Sequence, residues 1–392
     1  VDAPDLDARF FSPGDRLPAP PFRLGGRVVA RDGDTLTLAD AYGTCSVRGE
    51  AEIDALVELD IRARDGDVWV GPLTVVGGGH GGGEAARLRT RGAWLARRAQ
   101  LLGEVRGFFA ARGFVEVETP IVVPSPGLDV HLDAVEASGG RYLITSPEYQ
   151  MKRLLVGGMP RIFQLVKCFR KGEVGARHNP EFTMLEWYRA FASFESLIAE
   201  TEALVIAVAK AARGRAELVA DGRVVALDAP FERLPVATAF ARHARMTEAE
   251  ALSLDEDRFF RVLVEEVEPA LAAGPPVHLV DWPIAQASLA RKRPGDPRVA
   301  ERFELMVGGV ELCNGFGELV DPDEQRRRFA ADRRERAARG LPVYPVDERF
   351  VAALDEGMPP SAGNALGLDR LIACALGAPT IGDVLTFPEG WL

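Results

Sequence analysis

The sequence predicts an α+β protein, with a small OB-like β-barrel ahead of a larger unit in which helices flank an antiparallel sheet. Three observations carry this. Short β-rich runs separated by turn dipeptides occupy residues 22–76. The stretch Gly77-Gly78-Gly79-His80-Gly81-Gly82-Gly83 reads as a flexible linker, with His80 solvated. Beyond it, helix-period segments alternate with hairpins of period two. The expected divisions are therefore a barrel over residues 1–76, a linker over 77–83 and a main domain over 84–392.

Composition sets the bounds. At 392 residues the chain holds one large domain and a small one with a sizeable core. A formal net charge of −11 argues against a broad nucleic-acid surface. Cys45, Cys168, Cys313 and Cys374 lie far apart, which argues against zinc and a disulfide framework and fits a reducing cytoplasm. The first residues are acidic and lack an apolar run, so no secretory signal is expected. No stretch of about 18 apolar residues occurs, so no membrane span is expected.

Residues 1–20 are rich in Pro and Asp and read as extended. Strands follow at Arg27–Ala30, Thr35–Leu38, Cys45–Arg48, Val57–Ala63 and Val68–Val76, with Asp32-Gly33 and Asp65-Gly66 as turns. Residues 1–76 hold eight Arg, no Lys and fourteen acidic residues, so this region is a poor RNA reader. It is either a protein-binding module or a packing appendage. A helix over 84–112 carries Leu88, Trp94, Leu95, Leu101, Leu102, Val105 and Phe109 near helical spacing. Its arginines at 87, 89, 91, 97 and 98 form a solvated face or a contact for RNA or an acidic protein. A short helix over Gln150–Leu155 follows Thr145-Ser146-Pro147-Glu148, with Thr145 or Ser146 as its cap. An amphipathic helix covers 192–213, a hairpin turns at Asp221-Gly222, and His278–Pro283 is a buried strand.

Two hairpins carry the chemistry. In residues 161–189, Phe182, Met184, Glu186 and Tyr188 share one strand face, and Thr183, Leu185 and Trp187 share the other. Arg170, Lys171, Arg177 and His178 stand at the hairpin mouth. A flat base with phosphates suits this set: Phe182 offers a stacking face and Arg170 a planar fork. Glu186 and Tyr188 suit a cationic second substrate, although a solvated amphipathic hairpin has the same pattern. In residues 302–318, Gly308-Gly309 is a two-residue turn. Unbroken register opposes Met306 to Glu311, Leu305 to Leu312 and Glu304 to Cys313, so Glu304, Met306, Glu311 and Cys313 share a face. Two close carboxylates with phosphate oxygens suit Mg²⁺; the plain alternative is two surface glutamates. Residues 357–370 form a glycine-punctuated strand entering a helix, with Arg370 placed for a phosphate or a base. No P-loop or G-x-G-x-x-G occurs.

In chain order, Gly113-Phe-Val-Glu-Val-Glu-Thr-Pro120, TSPEYQMKRLL at 145–155, the run from Phe169-Arg170 through RHNPEFTMLEWY to Tyr188, and G-x-x-x-G-x-D-R at 363–370 resemble the motifs of the class II lysyl-tRNA synthetase group. The resemblance covers roughly residues 90 to 388 and is strongest to its truncated paralogues, the elongation factor P lysine ligases. It implies a class II synthetase-like sheet and a twofold homodimer formed through residues 113–120. It implies ATP contacts from Arg170, Lys171, Gly172, Glu173, His178, Asn179, Phe182, Glu311, Leu312, Gly367 and Arg370, with Arg170 and Arg370 catalytic. It implies amino-acid contacts from Ser146, Pro147, Glu148, Glu186, Tyr188, Cys313, Asn314 and Glu318, and Mg²⁺ at Glu304 and Glu311.

Three positions depart from the family pattern. Gly172 stands where a motif Glu is expected, with Glu173 next; Ala365 replaces a synthetase glycine, as in the ligases. Cys313 stands where synthetases have Gly and the ligases Ala. A larger side chain there disfavours α-lysine in its usual pose and is compatible with (R)-β-lysine, although Cys is also a good packing residue. The implied activity is ATP-dependent activation of lysine or (R)-β-lysine and transfer to a lysine of elongation factor P, without tRNA. The alternatives are a lysyl-tRNA synthetase with a reduced anticodon domain, an amide ligase with another acceptor, and a non-catalytic paralogue, which Gly172 favours.

Overall fold

A computed structural model describes residues 10–11, 16–17, 20, 22–64, 67–78, 83–287 and 289–391. Most of the expected extended segment, the Asp65-Gly66 turn and His80 lie outside the described residues. Backbone contacts divide the chain into two units, Val1–Arg97 and Arg98–Leu392, with the long helix Gly83–Ala110 contributing to both.

In the first unit the five expected strands form, at Phe22–Asp32, Thr35–Ala39, Thr44–Arg48, Ala55–Arg64 and Asp67–Gly78. Alternation explains them: Phe22, Leu24 and Val28 are buried with Leu36, Leu38, Val57 and Leu59 on one face. The barrel does not form. The pairing path runs from Thr44–Arg48 through Thr35–Ala39, Phe22–Asp32 and Ala55–Arg64 to Asp67–Gly78, with Phe10–Phe11 paired in parallel to Phe22–Asp32. Among the described residues its two ends do not pair, so the sheet is open and the OB-like expectation is corrected. Turns and alternation specify sequential neighbours, whereas closure needs a ladder between strands far apart in sequence.

The second unit is built on a nine-stranded sheet. Its order is Glu232–Pro235, Val277–Pro283, Asp296–Val307, Val310–Gly317, Ser361–Gly367, Glu181–Ala190, Arg161–Phe169 and Val115–Glu116, with Lys292–Arg293 beside Asp296–Val307. Only the outermost pair at each end is parallel. Helices flank the sheet, as the α+β reading requires. Gly83–Ala110, Phe194–Arg213 and Leu368–Leu376 bury Val105, Phe109, Leu204, Val205 and Leu371 against Leu185, Trp187 and Phe303. The opposite face of the central strands is left for a cleft. Gly308 and Gly309 have φ of 58° and 80°, the left-handed pair that matches a tight hairpin to strand twist. Among the described residues no helix is long and apolar enough to cross a membrane.

Phe109 is fully buried and stacks on Phe163 with ring centroids 4.7 Å apart. Phe109→Ala is expected to destabilise the protein by about 3–5 kcal/mol, read as a lower urea midpoint at unchanged slope.

Candidate active site

The strand Glu181–Ala190 is the floor of the site. It lies between Arg161–Phe169 and Ser361–Gly367, so both its edges are bonded and its side chains are fixed by the pleat. Phe182, Met184, Glu186 and Tyr188 line a cavity of about 460 Å³, while Leu185 and Trp187 enter the helix-covered core. Tyr188 is opposite Gly363 on the next strand. A methyl group at Gly363 would lie 2.3 Å from the Tyr188 ring and 2.6 Å from Glu318 Oε1, so only glycine lets the backbone pass.

One end of the cavity is acidic. Ser146 donates to Glu186 Oε1 at 2.5 Å and accepts from the Glu148 backbone N–H at 3.1 Å. It is not the cap of the helix Glu148–Val156; Pro147 holds that position without a side-chain bond. The Tyr188 hydroxyl donates to Glu186 Oε2 at 2.9 Å. Burial and the neighbouring Glu148 push the Glu186 carboxyl up to about 8. Sequence reasoning missed Lys152. One helical turn after Glu148, its Nζ lies 2.5 Å from Glu148 Oε1 and 2.5 Å from Glu318 Oε2. The i, i+4 spacing was the available signal. Burial opposes the Lys152 charge, but Glu148 and Glu318 outweigh it and hold the ammonium above the usual lysine range. Burial in turn raises the Glu318 carboxyl, against the pull of Lys152. Glu318 Oε1 is buried and has no hydrogen-bond partner among the described residues.

The other end is basic and aromatic. The Arg170 guanidinium lies 5.0 Å from the Phe182 ring centroid, and its buried Nε has no partner among the described residues. Gly172 turns with φ of +81°, and Glu173 follows into the cavity wall with Oε1 3.8 Å from Arg170 Nη1. Arg370 joins three segments: Nε donates to Arg177 O at 3.1 Å, Nη1 to Glu311 O at 3.0 Å, and Nη2 meets His178 Nε2 at 2.7 Å. Burial and Arg370 lower the His178 pKa, so its ring is neutral and accepts from Arg370. Leu312, Asn314 and Gly367 also line the cavity. Asn179 does too, but its amide is engaged by Glu181 O at 2.6 Å and the Glu389 backbone N–H at 2.8 Å, so it braces the loop. Pro147, Lys171 and Gly172 do not line the cavity. Lys171 is exposed, and its backbone N–H is tied to Asp133 O at 2.8 Å.

The hairpin register differs from the unbroken one. Met306 opposes Glu311, but a bulge follows, and Leu305 opposes Cys313 while Glu304 opposes Asn314. Glu304, Glu311, Asn314, Phe316 and Glu318 reach the cavity. Cys313 is 1% exposed and packs in the core with Leu305 and Leu366, so its expected place beside a substrate is corrected. Ala365 stays on the cavity side. Glu304 Oε1 pairs with Arg302 Nη2 at 2.7 Å, and Glu311 Oε2 lies 3.2 Å from Arg370 Nη1. Among the described residues no group of three or more His, Cys, Asp or Glu could hold a metal alone. The two hairpin carboxylates on one wall fit Mg²⁺ only as partial ligands completed by phosphate and water oxygens. Arg291 is outside the cavity wall, paired with Glu301 at 2.5 Å.

A family model described as tRNA synthetases class II (D, K and N) matches residues 86–390. The elongation factor P–(R)-β-lysine ligase of Klebsiella pneumoniae subsp. pneumoniae is 42% identical over 322 residues, covering 75% of this chain and 94% of its own. The ligases of the same name from Proteus mirabilis and Haemophilus influenzae are 43% and 42% identical over 309 and 306 residues, with the same coverage.

Glu186 gives a pH dependence with a defined sign. Its carboxyl rises from 4.5 to about 8 on folding, so within that window the folded state holds a proton that the unfolded chain has lost. Stability is expected to fall as pH rises through the window and then level. Glu186→Gln should flatten that decline in urea unfolding measured across the window.

Proposed function

Because the chain belongs to the class II (D, K and N) tRNA synthetase family, among relatives of the elongation factor P–(R)-β-lysine ligases, we propose that it activates lysine or (R)-β-lysine with ATP and transfers it to a lysine side chain of elongation factor P. The observation that carries this is one cavity with Arg170 and Phe182 at one end and Glu148, Glu186 and Glu318 at the other. A base and phosphates suit the first end; ammonium groups suit the second.

The substrate carboxylate attacks the ATP α-phosphorus and pyrophosphate leaves. The nucleophile is already ionised, so no general base is required, and catalysis is positioning and charge neutralisation. Arg170 bridges the carboxylate and α-phosphate; Arg370, steadied by neutral His178, faces the distal phosphates. Glu304 and Glu311 would hold Mg²⁺, which offsets phosphate charge when bound. The acceptor ε-amine then attacks the adenylate carbonyl, AMP leaves, and the nitrogen loses a proton to give the amide. Glu173 beside Arg170 supports a working motif despite Gly172. Cys313 on the core side offers no steric choice between lysine isomers.

The acidic composition of residues 1–76 supports action without tRNA. Exposed Val115, Ile121 and Val122 on the edge segment after residue 113 support a twofold homodimer. Free Cys45, Cys168, Cys313 and Cys374 support a reducing, cytoplasmic setting.

Pyrophosphate exchange should require lysine or (R)-β-lysine, and the activated amino acid should label elongation factor P. Labelling of tRNA but not the factor would overturn the reading. Glu304→Ala and Glu311→Ala should each lower Mg²⁺-dependent exchange by ~100-fold; unchanged exchange in both would remove the metal assignment.

A further inference from the structure

The acidic end of the cavity contains a charge that no ligand reaches. Lys152 is fully buried and is not part of the cavity wall; its ammonium lies behind Glu148 and Glu318, bonded to both. An ammonium wholly removed from water persists only where its partners offset the lost hydration. The fold itself has little use for such a pair, since buried ion pairs replaced by apolar side chains of similar volume are often neutral or stabilising. A long apolar residue would fill the same space. The pair is better explained by what it does to the two glutamates.

The surrounding charges can be named. Glu148 shares the Lys152 helix, Glu318 follows the strand Val310–Gly317, and Glu186 on the floor strand is near Glu148. Tyr188 donates to Glu186, and Arg291 acts on Glu318 from the side held by Glu301. Lys152 offsets one of the two charges of Glu148 and Glu318, and Glu186, whose carboxyl is raised, adds a charge only once it loses its proton.

We propose that Lys152 is a positioning residue that holds Glu148 and Glu318 side by side and offsets one of their two charges, leaving the other for an ammonium group of a diamino acid. This rests on the reading of the cavity as an amino-acid site. Without Lys152, Glu148 and Glu318 lie together with no internal cation, and the Glu318 carboxyl, which burial already raises, loses the charge that opposes that rise. An ammonium ligand then competes with a proton at Glu318.

The test is pyrophosphate exchange by the full chain over a pH series, with lysine and with (R)-β-lysine. Lys152→Met should raise the amino-acid KM about tenfold near neutral pH and move its pH profile about one unit to the alkaline side. KM for ATP should stay within about twofold. Dividing variant by unsubstituted values cancels the titration of the substrate. Lys152→Gln, which keeps a donor but no charge, should behave alike and serves if the Met variant does not fold. A pH-independent rise in KM, or an equal rise for ATP, would mean a structural role only and would overturn the proposal. So would failure of both uncharged variants to fold. Absence of exchange by the unsubstituted protein with either diamino acid would overturn the substrate reading itself, and the role of Lys152 with it.

Discussion

A carboxylate taken out of water must find a cation, a set of donors or a proton, and the cavity is arranged around that requirement. Glu186 has two hydroxyl donors and a raised pKa. Glu148 and Glu318 share one ammonium. Glu304 has Arg302, and Glu311 has Arg370. Each acid is thus tolerable in the folded protein through a partner that stays beside the cavity. At each end of the cavity one buried polar atom has no partner among the described residues, Arg170 Nε at one and Glu318 Oε1 at the other.

The sheet makes this possible because its two faces have separate tasks. One face is sealed by three helices around Phe109, Trp187 and Phe303. The other is free to hold charge. An ion pair joins these tasks: Arg98 on the long helix lies 2.6 Å from Asp369 Oδ1, and the other oxygen of Asp369 accepts from the Thr183 backbone N–H at 2.7 Å. The residue beside Arg370 is therefore anchored to the core helix and to the floor strand at once. Part of the arginine-rich end of that helix is thereby packed rather than solvated.

Most of the framework was legible in the sequence. Period-two alternation sorted Phe182, Glu186 and Tyr188 from Leu185 and Trp187, and the glycine pair at 308–309 located the hairpin. What escaped were features with no local code. Barrel closure depends on whether distant strands meet, and Thr44–Arg48 and Asp67–Gly78 do not. Lys152 drew no expectation: its spacing from Glu148 is a common helix pattern, and burial of its ammonium depends on Glu318, more than a hundred residues away. Asn179 looked like a ligand contact, because nothing near it in sequence announces Glu389 as its partner.

The bulge after Glu311 has a wider meaning. It shifts the phase of the strand by one residue, so Glu311 reaches the cavity before it and the even positions Asn314, Phe316 and Glu318 after it. Segment length is consequently as strict a determinant as residue identity: the extra residue, Leu312, brings Asn314 rather than Cys313 opposite Glu304, and an unbulged strand of the same sequence would put Cys313 on the charged wall and turn Asn314 and Glu318 toward the helices.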